Sequence, residues 1–299
     1  MRITRGYKSN QVEDRRAQGA TGGGGFGGGG GGGGGIGLLF MLFQRFGLPG
    51  VLVGAAFLYF SGGFSGGGTS SPAAGVSPSG STSDLAAEQP LVELVSFVFD
   101  DAQSTWADHF AKSGNQYQLA RLVLFRGSTT SGCGVGQAAM GPFYCPADQR
   151  AYIDLGFYEE LKRRLGAPGD FAQAYVIAHE LGHHVQNLLG DSERVHKAPA
   201  SARDGERGLS VRLELQADCY AGIWGHGTQR RDLLESGDLE EAFKAATAIG
   251  DDALQKQATG TVRPETFTHG SSAQRKRWFN KGFESGDPAA CDTFAAQEL

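Results

Sequence analysis

Thiolate pairs are missing from this chain: it has four cysteines, Cys133, Cys145, Cys219 and Cys291, and no C-x-x-C. Cysteine zinc fingers and thioredoxin-like redox motifs are thereby excluded. A basic excess is missing too. The net charge is −5, and residues 1–35 carry five basic groups against two acidic ones, a surplus of +3 that leaves −8 for the remainder. An acidic body lacks the positive face that nucleic acid requires, so nucleic acid is excluded as a partner. No internal repeat is present. A content of 40% hydrophobic and 20% charged residues suits a globular domain with polar appendages.

Glycine is abundant, but much of it forms one tract: residues 22–35 are all glycine except Phe26. Such a tract cannot bury enough surface to offset its chain entropy, so residues 1–35 are expected to form a disordered basic tail. Residues 36–64 are largely apolar and long enough for a membrane-spanning helix, which needs about 20 residues. Gln44 and Arg45 interrupt the run. A charge at the bilayer centre costs roughly 2.5–3.5 kcal/mol. With Arg45 snorkelling at the flank, the span contracts to residues 46–64. The positive-inside rule then keeps the tail cytoplasmic and exports everything that follows. Residues 65–83, rich in Gly, Ser, Thr and Pro, read as a flexible linker, and residues 84–299 as one domain. In it, residues 90–110 are apolar at helical spacing, residues 117–125 read as a strand, and residues 142–154 as two short strands broken at Pro146-Ala147-Asp148. The chain after residue 168 reads as helical. The expected fold class is α+β, mainly helical with a small N-terminal β-sheet.

The chemistry sits in A-Y-V-I-A-H-E-L-G-H-H-V-Q, residues 174–186. Asp170 with Gln173 three residues later suggests a capping box at the start of this helix, and Gly190 suits its end. His179 and His183, four apart, leave one face one turn apart, the spacing that two nitrogen ligands of a tetrahedral zinc need. Glu180 points about 100° around the axis, within reach of a water at the metal. His184 lies on another face, as a satisfied or solvent-facing ring. The extended form H-E-x-x-H-x-x-G-x-x-H is excluded by Gln186 and Leu189. A third ligand is therefore sought on a later helix, and Glu214 supplies it. Asp218, one turn on, is placed to accept the N–H of a ligating histidine and fix its tautomer. The bland alternative pairs Glu214 with Arg207 or Arg212 at a solvated surface.

Six stretches together carry a resemblance: V-E-D-R-R at 12–16, G-P-F-Y-C-P-A-D at 141–148, H-E-L-G-H-H-V-Q-N at 179–187, L-E-L-Q-A-D-C-Y-A-G-I-W-G-H at 213–226, F-T-H-G-S-S-A-Q-R at 267–275 and G-D-P-A-A-C-D-T-F at 286–294. In order and spacing the chain resembles the neutral zinc metallopeptidases of bacteria. The resemblance implies a zincin-like fold and a Zn2+ site of His179, His183 and Glu214. It also implies a peptide or protein substrate, and an edge strand near residues 143–154 that pairs with it. With the apolar run, it implies a single-pass protein of the bacterial inner membrane whose domain lies on the extracytoplasmic side. Glu180 is expected to act as general base. A second electrophile is needed for the oxyanion; His226, His269 and Tyr175 are candidates, and His269 is favoured because a loop histidine beside glycine can approach a cleft.

An exported domain occupies an oxidising compartment, where cysteines pair. Cys133 and Cys145 flank a glycine-rich connection of eleven residues and are expected to bond, leaving Cys219 with Cys291. Two rival readings stand beside the peptidase. One is a non-catalytic, membrane-anchored module with zinc as a staple, against which stand the lack of cysteines near the motif and the absence of a structural job for Glu180. The other is a zinc hydrolase of non-protein amides such as cell-wall links.

Overall fold

Pro90 opens the first long helix, where its missing N–H costs nothing. This helix, α1 (Gln89–Lys112), buries Leu94, Val95, Val98, Phe99, Ala102 and Trp106 along one stripe. The computed structural model describes residues 1–18 and 82–299. After α1 come strands β2 (Arg121–Phe125), β3 (Ser128–Ser131), β4 (Gly134–Gln137), β5 (Phe143–Cys145) and β6 (Arg150–Asp154). Helices follow: α2 (Gly156–Arg163), α3 (Asp170–Leu189), α4 (Asp191–Lys197), α5 (Leu209–Arg230), α6 (Asp238–Ala248), α7 (Asp251–Thr259) and α8 (Ser272–Ser285). The α+β class and the small sheet are as expected, and the 142–154 region is the expected pair of short strands. The β3–β4 hairpin was not anticipated.

The sheet runs β1-β2-β6-β5, where β1 is Val12–Asp14; β1–β2 and β2–β6 are parallel, β5–β6 antiparallel. Leu122 and Leu124 of β2 face the helices, while Val123 and Phe125 join Cys145 and Tyr152 in a smaller cluster with Cys133 and Phe143 packed against it. Burial on both faces explains why β2 reads as an almost unbroken apolar run. Cys133, just before β4, is bonded to Cys145 of β5, and Cys219 of α5 to Cys291, the two expected pairs.

Residues 1–18 correct the expectation of a disordered tail. Val12, Glu13 and Asp14 pair with Leu122, Val123 and Leu124. Three of the five basic residues of this segment are in ion pairs: Arg15 with Glu13, Arg16 with Asp14 and Glu88, Arg2 with Asp232. Arg16 is buried. The proposed cytoplasmic tail and exported domain are therefore one folded body. A single bilayer crossing between residues 19 and 81 would put β1 and β2 on opposite sides of the membrane, which their backbone pairing forbids. The anchor expected over residues 36–64 lies outside the described residues. Among the described residues, no helix is long and apolar enough to cross a membrane.

The start of α3 also differs from expectation. Asp170 is the first helical residue, and Gly169, with φ 127°, takes the cap position without a side-chain bond. Asp170 binds the Met1 ammonium at 2.7 and 2.8 Å. The next free N–H, on Phe171, is met by Glu241 of α6 at 3.1 Å. The helix is capped from outside, by tertiary partners that a local motif cannot announce.

Candidate metal centre

Helix α3 is buried along most of its length and crosses α5 closely at Gly182. A Cβ at Gly182 would lie 3.0 Å from the Ala217 backbone. Glycine allows this approach without displacing the neighbours, and the crossing brings Glu214 opposite the two motif histidines. His179 Nε2 is 3.2 Å from Glu214 Oε2, and His183 Nε2 is 3.5 Å from Glu214 Oε1. Tetrahedral zinc with bonds of about 2.0–2.1 Å holds its ligand atoms roughly 3.3–3.4 Å apart. The two observed separations bracket that value, so His179, His183 and Glu214 could hold such an ion. The bland reading of Glu214 fails: Arg207 bonds the Gln297 carbonyl, and Arg212 those of Arg207, Thr293, Phe294 and Ala296.

Each imidazole has its other nitrogen engaged. Asp218 Oδ1 accepts from His179 Nδ1 at 2.8 Å, as expected. Gln186 Oε1 accepts from His183 Nδ1 at 2.9 Å, while Gln186 Nε2 donates to the Leu213 carbonyl and to Gln216 Oε1. One ring thus has an anionic partner and the other a neutral one, and both are turned to present Nε2. Burial lowers the His179 pKa, but Asp218 and Glu214 outweigh it and raise it to about 9. The same field favours any cation at Nε2. Burial raises the Glu214 pKa, yet His183, His269 and His179 bring it below the usual carboxylate range. For Glu180, 7% exposed, burial dominates and raises the pKa, against the lowering by His183 and His179.

The three oxyanion candidates stand in different surroundings. His226 is twelve residues beyond Glu214 on one helix, about 18 Å along the axis, and its Nδ1 donates to the Phe283 carbonyl. Tyr175 is fully buried and donates its hydroxyl to Asp218 Oδ1 at 2.5 Å. His269 remains. Its side chain is 50% exposed, with Nδ1 3.4 Å from Asp251 Oδ1. Asp251 Oδ2 accepts the backbone N–H groups of Thr268, His269 and Gly270, fixing the loop. Desolvation lowers the His269 pKa, though solvent still reaches half of the side chain, and Glu214 and Asp251 outweigh it and raise the pKa.

His184 is buried, not solvent-facing. Its Nε2 donates to the Gln118 carbonyl at 2.7 Å, so Nδ1 accepts the Tyr144 hydroxyl at 2.9 Å. Tyr144 belongs to β5, and this bond ties the edge strand to the motif helix. Gln186, Asp251 and Arg275 were missed as site residues. Gln186 had a signal, since it lies three residues after His183 and so on the same face. Asp251 and Arg275 had none, because both arrive from distant helices.

Two imidazoles from one turn of helix, a carboxylate from a second helix and a buried glutamate beside them define a candidate metal centre of the H-E-x-x-H class. Residues 1–294 match the family described as "Putative neutral zinc metallopeptidase", and the chain belongs to that family. It is similar to "Uncharacterized protein YpfJ" of Escherichia coli K12, 56% identical over 208 residues, 69% of this chain and 72% of the relative. It is also similar to "Uncharacterized protein Rv2575" of Mycobacterium tuberculosis, 45% identical over 194 residues, 61% of this chain and 65% of the relative. No solved structure matches the chain.

Proposed function

We propose that the chain is a zinc-dependent endopeptidase, with His179, His183 and Glu214 as ligands, Glu180 as general base and His269 as the oxyanion donor. The observation that carries this reading is the convergence of the His179 and His183 Nε2 atoms on the two Glu214 oxygens at 3.2 and 3.5 Å. Zinc bound there supplies Lewis acidity to a water and to the scissile carbonyl. Glu180 takes a proton from the attacking water at its carboxylate and returns it to the departing amine. Burial raises its affinity for a proton, the direction a general base requires. His269, held by Asp251, offers an N–H to the oxygen on which negative charge develops. Strand β5 has β6 on one side and no strand on the other among the described residues. An extended peptide can add to that edge. The two disulfides suit an oxidising, extracytoplasmic compartment, and residues 1–18, being part of the same fold, share it.

The non-catalytic staple is disfavoured because only three donors converge among the described residues, His179, His183 and Glu214, whereas a structural site closes with four. A hydrolase of non-peptide amides would use the same groups, and the free β5 edge is what favours peptide. The test is Glu180→Gln in zinc-loaded protein against an unstructured protein substrate. Zinc content stays as in the parent, and hydrolysis falls about 10²–10⁴-fold. Equal cleavage by parent and variant refutes the assignment.

A further inference from the structure

Arg275 is the first charged residue of α8, a helix that begins in a complete capping box of Ser271 and Gln274 directly after the His269 loop. Its side chain is 3% exposed, beside an Asp218 side chain that is 0% exposed. Burying a guanidinium is costly unless its hydrogens are matched, and here nearly all are. Nε donates to Asp218 Oδ2 at 2.9 Å and Nη2 to Asp218 Oδ1 at 2.9 Å, a two-pronged pair. Nη2 also reaches the Tyr175 hydroxyl at 3.2 Å, and Nη1 the Ile249 carbonyl at 3.2 Å.

Asp218 Oδ1 therefore receives three donors: Tyr175, His179 and Arg275. Without the second prong on Oδ2, the carboxylate could turn about its Cβ–Cγ bond and carry the His179 ring with it. The fork removes that freedom. Resting on the metal-centre reading above, we propose that Arg275 is a positioning residue of that centre: it locks the Asp218 carboxylate and, through it, aims His179 Nε2 at the space shared with His183 and Glu214. Arginine is required because lysine offers a point charge and not a planar fork. The arrangement also couples the loop that carries His269 to the ligands, since loop and Arg275 belong to one continuous segment, 268–275.

A purely structural staple would lower stability and leave metal affinity alone, and the test separates the two. Zinc Kd is measured by chelator competition on folded, monodisperse parent, Arg275→Met, Arg275→Lys, Asp218→Asn and the two double variants, with thermal melts alongside. Arg275→Met should weaken zinc binding about 10–100-fold, the usual effect of removing a ligand's support, with Arg275→Lys between it and the parent. In the Asp218→Asn background, either change at 275 should cost no further affinity. Should Arg275→Met fail to fold, the cycle is read with Arg275→Lys. Unchanged zinc Kd with a lowered melting temperature, or losses that simply add in the double variants, overturns the proposal. Failure of the parent itself to bind zinc would instead sink the metal-centre reading.

Discussion

Replacing Gly182 with alanine sets two known effects against each other at the metal site. A Cβ there would lie 3.0 Å from the Cα and carbonyl oxygen of Ala217 and 3.2 Å from its Cβ. Contacts this short are tighter than carbon contacts ordinarily are, so the α3–α5 crossing must give by a few tenths of an ångström. Overpacking of this kind costs about 1–3 kcal/mol, while alanine returns about 1 kcal/mol of helix propensity over glycine. The fold should therefore lose between nothing and about 2 kcal/mol. The metal site is less tolerant. Gly182 adjoins His183, and Ala217 lies three residues from Glu214, so the separation is inserted between the ligands themselves. Ligand distances tolerate deviations of about ±0.2 Å, so even a shift of a few tenths of an ångström reaches that limit. Zinc affinity should fall at least about tenfold, visible as a smaller zinc-induced rise in melting temperature and a weaker Kd in chelator competition. A variant that binds zinc like the parent and melts higher would show propensity acting alone, and would refute the close crossing of α3 and α5.

Three further outcomes are expected. Asp251→Asn should lower hydrolysis while zinc stays bound, because the 268–270 loop loses its anionic acceptor. Burial raises the Asp251 pKa, but His269 and the loop N–H groups outweigh it and lower it. The stability difference between parent and variant should thus be full above about pH 4 and fade as pH falls further, read from melts across acidic pH. Removing the Cys133–Cys145 bridge should cost about 3 kcal/mol and Cys219–Cys291 about 4 kcal/mol, since they close loops of 12 and 72 residues; denaturant melts of Cys→Ser pairs check the order, and a reversed order would contradict it. Reporter cysteines at Arg5 and Glu298 should react alike with a membrane-impermeant maleimide in intact cells, and opposite labelling would contradict the β1–β2 pairing.

The motif helix was legible because its information is local. Four-residue spacing fixes a shared face whatever surrounds it, and the same rule found Glu214 and Asp218. The two disulfide pairs were as expected, with the short connection between Cys133 and Cys145 the local signal. What escaped is what travels far along the chain. Strand β1 is three residues long, too short for alternation to register, and a glycine tract beside it suggests disorder. Tyr175 shows the limit differently: its position on the motif helix was plain, but its hydroxyl is turned toward Asp218 and Arg275, a direction only the packed helices decide.

The pairing of Val12 with Leu122 has a consequence for how the chain is made. At a synthesis rate of about 5–20 residues per second, the first strand waits roughly 5–20 s for its partner to be translated. Strand β2 in turn needs β6 beyond it, so β1, which precedes both in the chain, is among the last elements to settle. Closing such a long loop adds little to its equilibrium cost, because that cost grows only logarithmically, but it slows the search. Until β1 docks, β2 presents an open hydrogen-bonding edge on an apolar strand, the kind of surface that recruits other chains. Docking of β1, with the Arg16–Glu88 ion pair that accompanies it, covers that edge, and a chain without β1 would leave it open.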